Sequence, residues 1–155
     1  MSELRVRDLM TPNVVTVRPD DSVATAYDLM LDRRFRHLVV IDDEGDLAGL
    51  LTHRDLLRHS LIERTGVLLS FQKDVMQQIR VEEVMTSEVE TIEPGQWLRE
   101  AALVMYENKY GCLPVVEGSR TVGILTEADF VRFFALAGQQ PVSTAMALTD
   151  LAKAS

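Results

Sequence analysis

The apolar positions along this chain change period several times, and the changes recur. From Val14 to Val17 a short β-branched run reads as a strand, which Pro19 ends. Val23, Ala26, Tyr27 and Met30 then fall at i, i+3, i+4 and i+7. That spacing predicts a helix over about Ser22–Arg34, with Ser22 as its N-cap. Leu38–Ile41 is a second strand, Asp42-Asp43-Glu44-Gly45 a turn, and Leu47–Leu51 a third strand. A last helix starts at Thr52. The succession then returns. Val89–Ile92 predicts a strand, Pro94 a break, and Trp97–Lys109 a helix with Leu98, Ala101, Ala102 and Met105 on one face. Leu113–Val116 and Thr121–Leu125 predict strands around Glu117-Gly118-Ser119, and a helix starts at Thr126. Each half reads β-α-β-β-α.

The recurrence is a duplication. Val6–Asp43 aligns with Val81–Gly118 at a shift of 75, and Gly49–Leu61 with Gly123–Ala135 at a shift of 74. Identical pairs keep their order throughout: Met10/Met85, Thr11/Thr86, Pro19/Pro94, Met30/Met105, Leu38/Leu113, Gly49/Gly123, Thr52/Thr126, Asp55/Asp129 and Arg58/Arg132. The fold class is mixed α/β (α+β), built from repeat 1 over residues 5–61 and repeat 2 over 81–136. A copy of this size buries little core alone, whereas two can share one. Residues 62–80, with Val67, Leu68, Leu69, Phe71, Val75, Met76 and Ile79, predict a helical linker. Residues 137–155 form a C-terminal tail in which Gly138 and Pro141 are expected to stop the final helix, and residues 142–155 are expected to be dispensable for folding.

Composition removes several classes. Hydrophobic residues make 46% and charged residues 26% of 155, which excludes disorder as the main state. One cysteine, Cys112, excludes an intrachain disulfide. Apolar runs are only a few residues long, so no membrane partner is expected. The charged start, Met-Ser-Glu-Leu-Arg-Val-Arg-Asp, is unlike a signal peptide, and the expected compartment is the cytoplasm. Sixteen basic against 24 acidic residues disfavour nucleic acid as the main partner.

The motif with chemical content is Gly-h-h-Thr-x-x-Asp, as Gly49-Leu50-Leu51-Thr52-His53-Arg54-Asp55 and Gly123-Ile124-Leu125-Thr126-Glu127-Ala128-Asp129. Both copies stand where a strand gives way to a helix. Thr as N-cap and Asp three residues on make a capping box with Asp in place of Glu or Gln. The same geometry suits a ligand. A helix N-terminus presents N–H groups and a positive dipole end to a phosphate. The threonine hydroxyl adds a donor, a carboxylate one turn in can accept from ribose hydroxyls, and the glycine permits close approach to the backbone. Capping and binding are compatible.

The duplicated Met-Thr, Pro, Leu-Val/Pro-Val-Val and Gly-h-h-Thr-x-x-Asp pattern resembles a tandem pair of CBS domains, a Bateman module, over residues 5–136. The resemblance implies two repeats paired about a pseudo-twofold axis, with clefts that bind AMP, ADP, ATP or S-adenosylmethionine. It implies ribose contacts at Asp55 and Asp129 and phosphate contacts at Thr52 and Thr126, with Leu50 and Ile124 of the motif alongside. Adenine would rest on Asn13, Val15, Phe35 and Arg36 in the first copy, and on Glu88, Glu90, Tyr110 and Gly111 in the second. It further implies a homodimer and a regulatory role toward another protein, here a stand-alone module with its target unknown. No cofactor is required and no enzymatic activity is implied.

Other features are weaker. Arg33 and Arg34 offset a helix C-terminus, while Arg36 and His37 lie beside the second strand, where phosphate contacts are implied. His53 and Arg54 in the first motif, against Glu127 and Ala128 in the second, predict that the first site prefers phosphorylated ligands. His37, His53 and His59 lack metal-site spacing. Cys112 reads as a small buried thiol. Leu56, Leu57, Leu61, Phe130, Phe133 and Phe134 predict an apolar stripe for a homodimer. The remaining alternative is an interaction or scaffold module with empty clefts; an enzyme would need an activated nucleophile or an acid–base pair, and no such arrangement is legible.

Overall fold

A computed structural model describes residues 3–59 and 69–137. In chain order the elements are α1 (Val6–Leu9), β1 (Thr11–Pro12), β2 (Thr16–Val17), α2 (Val23–Arg33), β3 (His37–Ile41), β4 (Leu47–Thr52) and α3 (His53–His59). After them come α4 (Leu69–Gln78), α5 (Val81–Val84), α6 (Leu98–Asn108), β5 (Cys112–Glu117), β6 (Arg120–Thr126) and α7 (Glu127–Ala137). They form two compact units that cut across the repeats: residues 15–89, and residues 1–14 together with 90–155.

In the unit of residues 15–89 the sheet order is β2-β3-β4. β2 runs parallel to β3, and β3 pairs antiparallel with β4 in the register Leu38↔Leu51 and Val40↔Gly49. The alternating side chains of these strands meet the apolar stripe of α2. The core is Val17, Val23, Ala26, Met30, Leu38, Val40, Leu51 and Leu56, closed by Val81 and Val84 of α5. Ser22 caps α2 as expected, its Oγ accepting from the Thr25 amide at 3.1 Å. Met76 and Ile79 pack on this core from α4 and just beyond it. The linker is thus helical over Leu69–Gln78; Val67 and Leu68 lie outside the described residues.

In the other unit the sheet order is β1-β6-β5, all antiparallel. Its core joins Val6 and Leu9 of α1 to Ile92, Leu98, Ala101, Met105, Leu113, Val115 and Leu125. Arg5 stands over the Trp97 ring at 3.2 Å and donates from Nη1 to the Gly95 carbonyl at 2.9 Å, tying the first segment to the start of α6. The tail beyond Ala137, with Gly138 and Pro141, lies outside the described residues.

Three expectations change. The strand expected over Val14–Val17 is only Thr16–Val17, because Asn13 turns the chain with a left-handed φ of 52°. The strand expected over Val89–Ile92 reduces to one bridge, Ile92 to Val115. The partner strand carries Pro114 where the first copy has Val39, and proline has no N–H to give the ladder. The short helices α1 and α5 were not expected. Each opens on a carboxylate three residues past its N-cap: Asp8 accepts from the Arg5 amide and Glu83 from the Arg80 amide, both at 2.7 Å. Arg5-x-x-Asp8 and Arg80-x-x-Glu83 were the available signals.

Candidate functional site

Both Gly-h-h-Thr-x-x-Asp turns are reciprocal helix caps. At the first, Asp55 Oδ2 accepts from the Thr52 amide at 2.8 Å and from the Thr52 hydroxyl at 2.7 Å. The Asp55 amide returns a bond to Thr52 Oγ1 at 3.1 Å. At the second, Asp129 Oδ2 accepts from the Thr126 amide at 2.8 Å and its hydroxyl at 2.9 Å, with the Asp129 amide to Thr126 Oγ1 at 3.3 Å. The next amide along, of His53 or Glu127, donates to the carbonyl of Arg36 at 2.8 Å or of Gly111 at 3.1 Å. The start of the helix is thereby fixed against the residue that precedes β3 or β5.

The glycines have a definite packing reason. A Cβ on Gly49 would lie 2.7 Å from Met85 Sδ and 2.8 Å from the Thr86 carbonyl oxygen. On Gly123 it would lie 2.7 Å from Met10 Sδ and 3.0 Å from the Thr11 carbonyl oxygen. The close approach expected at these positions is therefore made by the protein itself. Leu50 and Thr86 exchange two backbone hydrogen bonds at 2.9 Å, and Thr11 pairs with Ile124 in the same way as neighbours in a ladder.

The unit of residues 15–89 gathers most of the cationic candidates. His37 stands opposite Thr52 in the β3–β4 ladder, and Arg36, His53 and Arg54 adjoin the same turn. Arg36 and Arg54 are exposed, and Asp55 is half-buried. Phe35 is exposed, Leu50 is half-buried, and Val15 packs against the core. Glu88 falls in this unit too, although the resemblance assigns it to the second copy.

The other unit holds Thr126, Asp129, Tyr110, Gly111, Glu90 and Ile124, and it also holds Asn13, which the resemblance assigns to the first copy. Ile124 is buried; Asn13, Glu90 and Tyr110 are exposed. In place of the basic set this turn has Gly111, Cys112 and Glu127 at the positions of Arg36, His37 and His53. Burial first, and then the charge of Glu127, push the Cys112 thiol up to about 12. It is a protonated core group at neutral pH, not a nucleophile.

Two partners of the predicted Asp129, Thr11 and Arg132, were missed as site residues. Asp129 is 5% exposed, and its Oδ1 accepts from Thr11 Oγ1 at 3.4 Å and from Arg132 Nη2 at 3.2 Å. Arg58/Arg132 is visible as an identical pair in the sequence, but its two members behave differently. Among the described residues Arg58 is exposed and makes no ion pair.

Comparison with known proteins matches the CBS domain family over residues 6–62 and 81–136, and the chain belongs to that family as a tandem pair. It is 32% identical to the CBS domain-containing protein YhcV of Bacillus subtilis over 125 residues, covering 80% of this chain and 81% of that one. It is 31% identical to the Methanocaldococcus jannaschii protein MJ1404 over 140 residues, which is 87% of this chain but only 33% of that protein's length. Among solved structures it is similar to CBSX2 in complex with AMP, with a TM-score of 0.71, 31% identity, and coverage of 88% and 98% of the two chains. It is also similar to the CBS domain pair of MJ0100 in complex with 5′-methylthioadenosine and S-adenosylmethionine, with a TM-score of 0.69, 25% identity, and coverage of 84% and 99%. Among the described residues no helix is long and apolar enough to cross a membrane.

Proposed function

We propose that the chain is a cytoplasmic, non-catalytic regulatory module that binds an adenosine compound at the Thr52–Asp55 turn and signals to another protein. The carrying observation is that turn's combination of a helix start, a half-buried carboxylate and the basic group Arg36, His37, His53 and Arg54. A cation beside a helix start favours a phosphorylated ligand, so AMP, ADP or ATP fits better than S-adenosylmethionine. The AMP complex of CBSX2, a similar protein, supports the class of ligand. Thermal melting of the whole chain with each of the four compounds tests the reading. A ligand present at about a hundred times its Kd adds about 2.7 kcal/mol and should raise Tm by about 5–10 °C. No shift with any of the four favours the interaction-module alternative.

The reading includes a homodimer. Leu56 is consumed by the core, and Phe130 and Phe133 pack partly against theirs, so those parts of the expected stripe are not free. What stays exposed is Leu57 on α3, and Val131 and Phe134 on α7, at 44%, 68% and 57%; Leu61 lies outside the described residues. Val131 and Phe134, exposed to this degree on the one helix α7, suit a contact with a second copy. Light scattering should give twice the 17.4 kDa chain mass. Phe134→Glu should reduce it to the monomer value.

A further inference from the structure

The two turns have the same motif, yet their carboxylates stand in different situations. Asp55 uses Oδ2 for the cap, and among the described residues no donor is placed on Oδ1. Asp129 uses Oδ2 identically, but its Oδ1 holds Thr11 Oγ1 and Arg132 Nη2, and the residue is buried. An ion pair at 3.2 Å, with the acid side chain 6% and the arginine 32% exposed, is shielded from the solvent that weakens surface pairs.

We propose that the Thr126–Asp129 turn is an internal lock, with Arg132 and Thr11 occupying the carboxylate oxygen a ribose would need, so that the chain carries one adenosine site, at Asp55. This rests on the nucleotide-binding reading above. A ribose diol needs an acceptor with a vacant lone pair in reach. Asp55 Oδ1 offers one. At Asp129 a ligand would first have to break a shielded arginine–carboxylate pair and displace the Thr11 hydroxyl, which leaves a buried charge uncompensated. The neighbours point the same way. The locked turn has Glu127, Gly111 and Cys112 where the open one has His53, Arg36 and His37, so none of these three positions offers an anionic ligand a cation in place of Arg132. Thr11 and Arg132 are thus specificity-determining residues that act by closing a site.

Two measurements on the full chain test this. Calorimetric titration with AMP should give one site per chain, and Asp55→Asn should weaken it by about tenfold or more, the loss expected for a charge-assisted hydrogen bond. Two sites per chain, or a site of unchanged affinity in Asp55→Asn, overturns the proposal. Thermal melting without ligand supplies the second arm. Asparagine keeps the capping oxygen at either position, so only the charge is lost. Asp129→Asn strands Arg132 and should lower Tm by about 5 °C or more, while Asp55→Asn should lie within about 1 °C of the native chain. If Asp129→Asn does not fold, Arg132→Gln replaces it and should also melt lower. Equal melting at both turns overturns the lock. Absence of any AMP, ADP, ATP or S-adenosylmethionine binding refutes the nucleotide reading instead, and the melting arm still decides whether Asp129 is locked.

Discussion

Urea denaturation of Gly49→Ala is expected to show a loss of about 1–3 kcal/mol, the range for forcing an extra methyl into a filled site. The added Cβ would meet Met85 Sδ at 2.7 Å and the Thr86 carbonyl oxygen at 2.8 Å. The methionine can swing aside. The carbonyl cannot do so cheaply, because it receives the Leu50 amide at 2.9 Å. Shortening Met85 to alanine should therefore recover only part of the loss. Gly123→Ala should behave alike but somewhat more mildly, since its nearest backbone atom, the Thr11 oxygen, is 3.0 Å away. Gly95→Ala is the control: a Cβ there has nothing within 4 Å, and its stability should change by less than about 0.5 kcal/mol. Equal effects at Gly49 and Gly95 would show that backbone entropy, not packing, governs the motif glycine.

A larger effect is expected from removing residues 1–14. By sequence these belong to the first repeat, and their loss should spare the second. By structure they complete the unit that contains the second repeat. Val6 is 0% and Leu9 3% exposed in its core, and Thr11–Pro12 forms the edge of its sheet. Burial of those two side chains alone is worth about 3–6 kcal/mol, comparable to the whole stability of a small domain. The truncated chain should lose cooperative unfolding in that unit. Trp97, the chain's single tryptophan, reports on it directly, since Arg5 packs over its ring. Its fluorescence should shift toward that of a solvated indole without denaturant. Unchanged Trp97 emission and an unchanged melting curve would show that α1 contributes nothing to this core.

The sequence was most legible where one residue type has one physical consequence. The period of Val23, Ala26, Tyr27 and Met30 placed α2, and Ser22 capped it as read. The order of apolar runs placed β3 to β6 to within a residue or two. The motif's capping bonds were legible as well, because a threonine followed three residues later by an acid has few other local uses. The membership of each compact unit was not legible. The four residues Val6–Leu9 are too few to show a helical period, so neither the burial of Val6 and Leu9 nor the sheet they join was legible, and a turn such as that at Asn13 decides the matter without any apolar signal. The single bridge at Ile92 depended on Pro114, whose missing N–H matters only once a particular neighbour is known. The difference between Asp55 and Asp129 was equally out of reach. Both arginines, Arg58 and Arg132, occupy equivalent positions, and only the three-dimensional surroundings separate a paired one from an exposed one.

The exchange of opening segments bears on descent. A lone ancestral copy equivalent to residues 6–61 would have carried α1 with no means of folding it onto its own sheet in this arrangement, because α1 lies in the unit of the other repeat. It would have had to trade that segment with a second molecule, each completing the other's core. Joining two such copies in one chain makes that concentration-dependent association intramolecular. Two halves joined in this way can differ in chemistry while each still supplies the opening segment of the other's unit. One turn could keep its basic neighbours and an open carboxylate oxygen, and the other could close its carboxylate onto Arg132, without either half losing the segment it depends on.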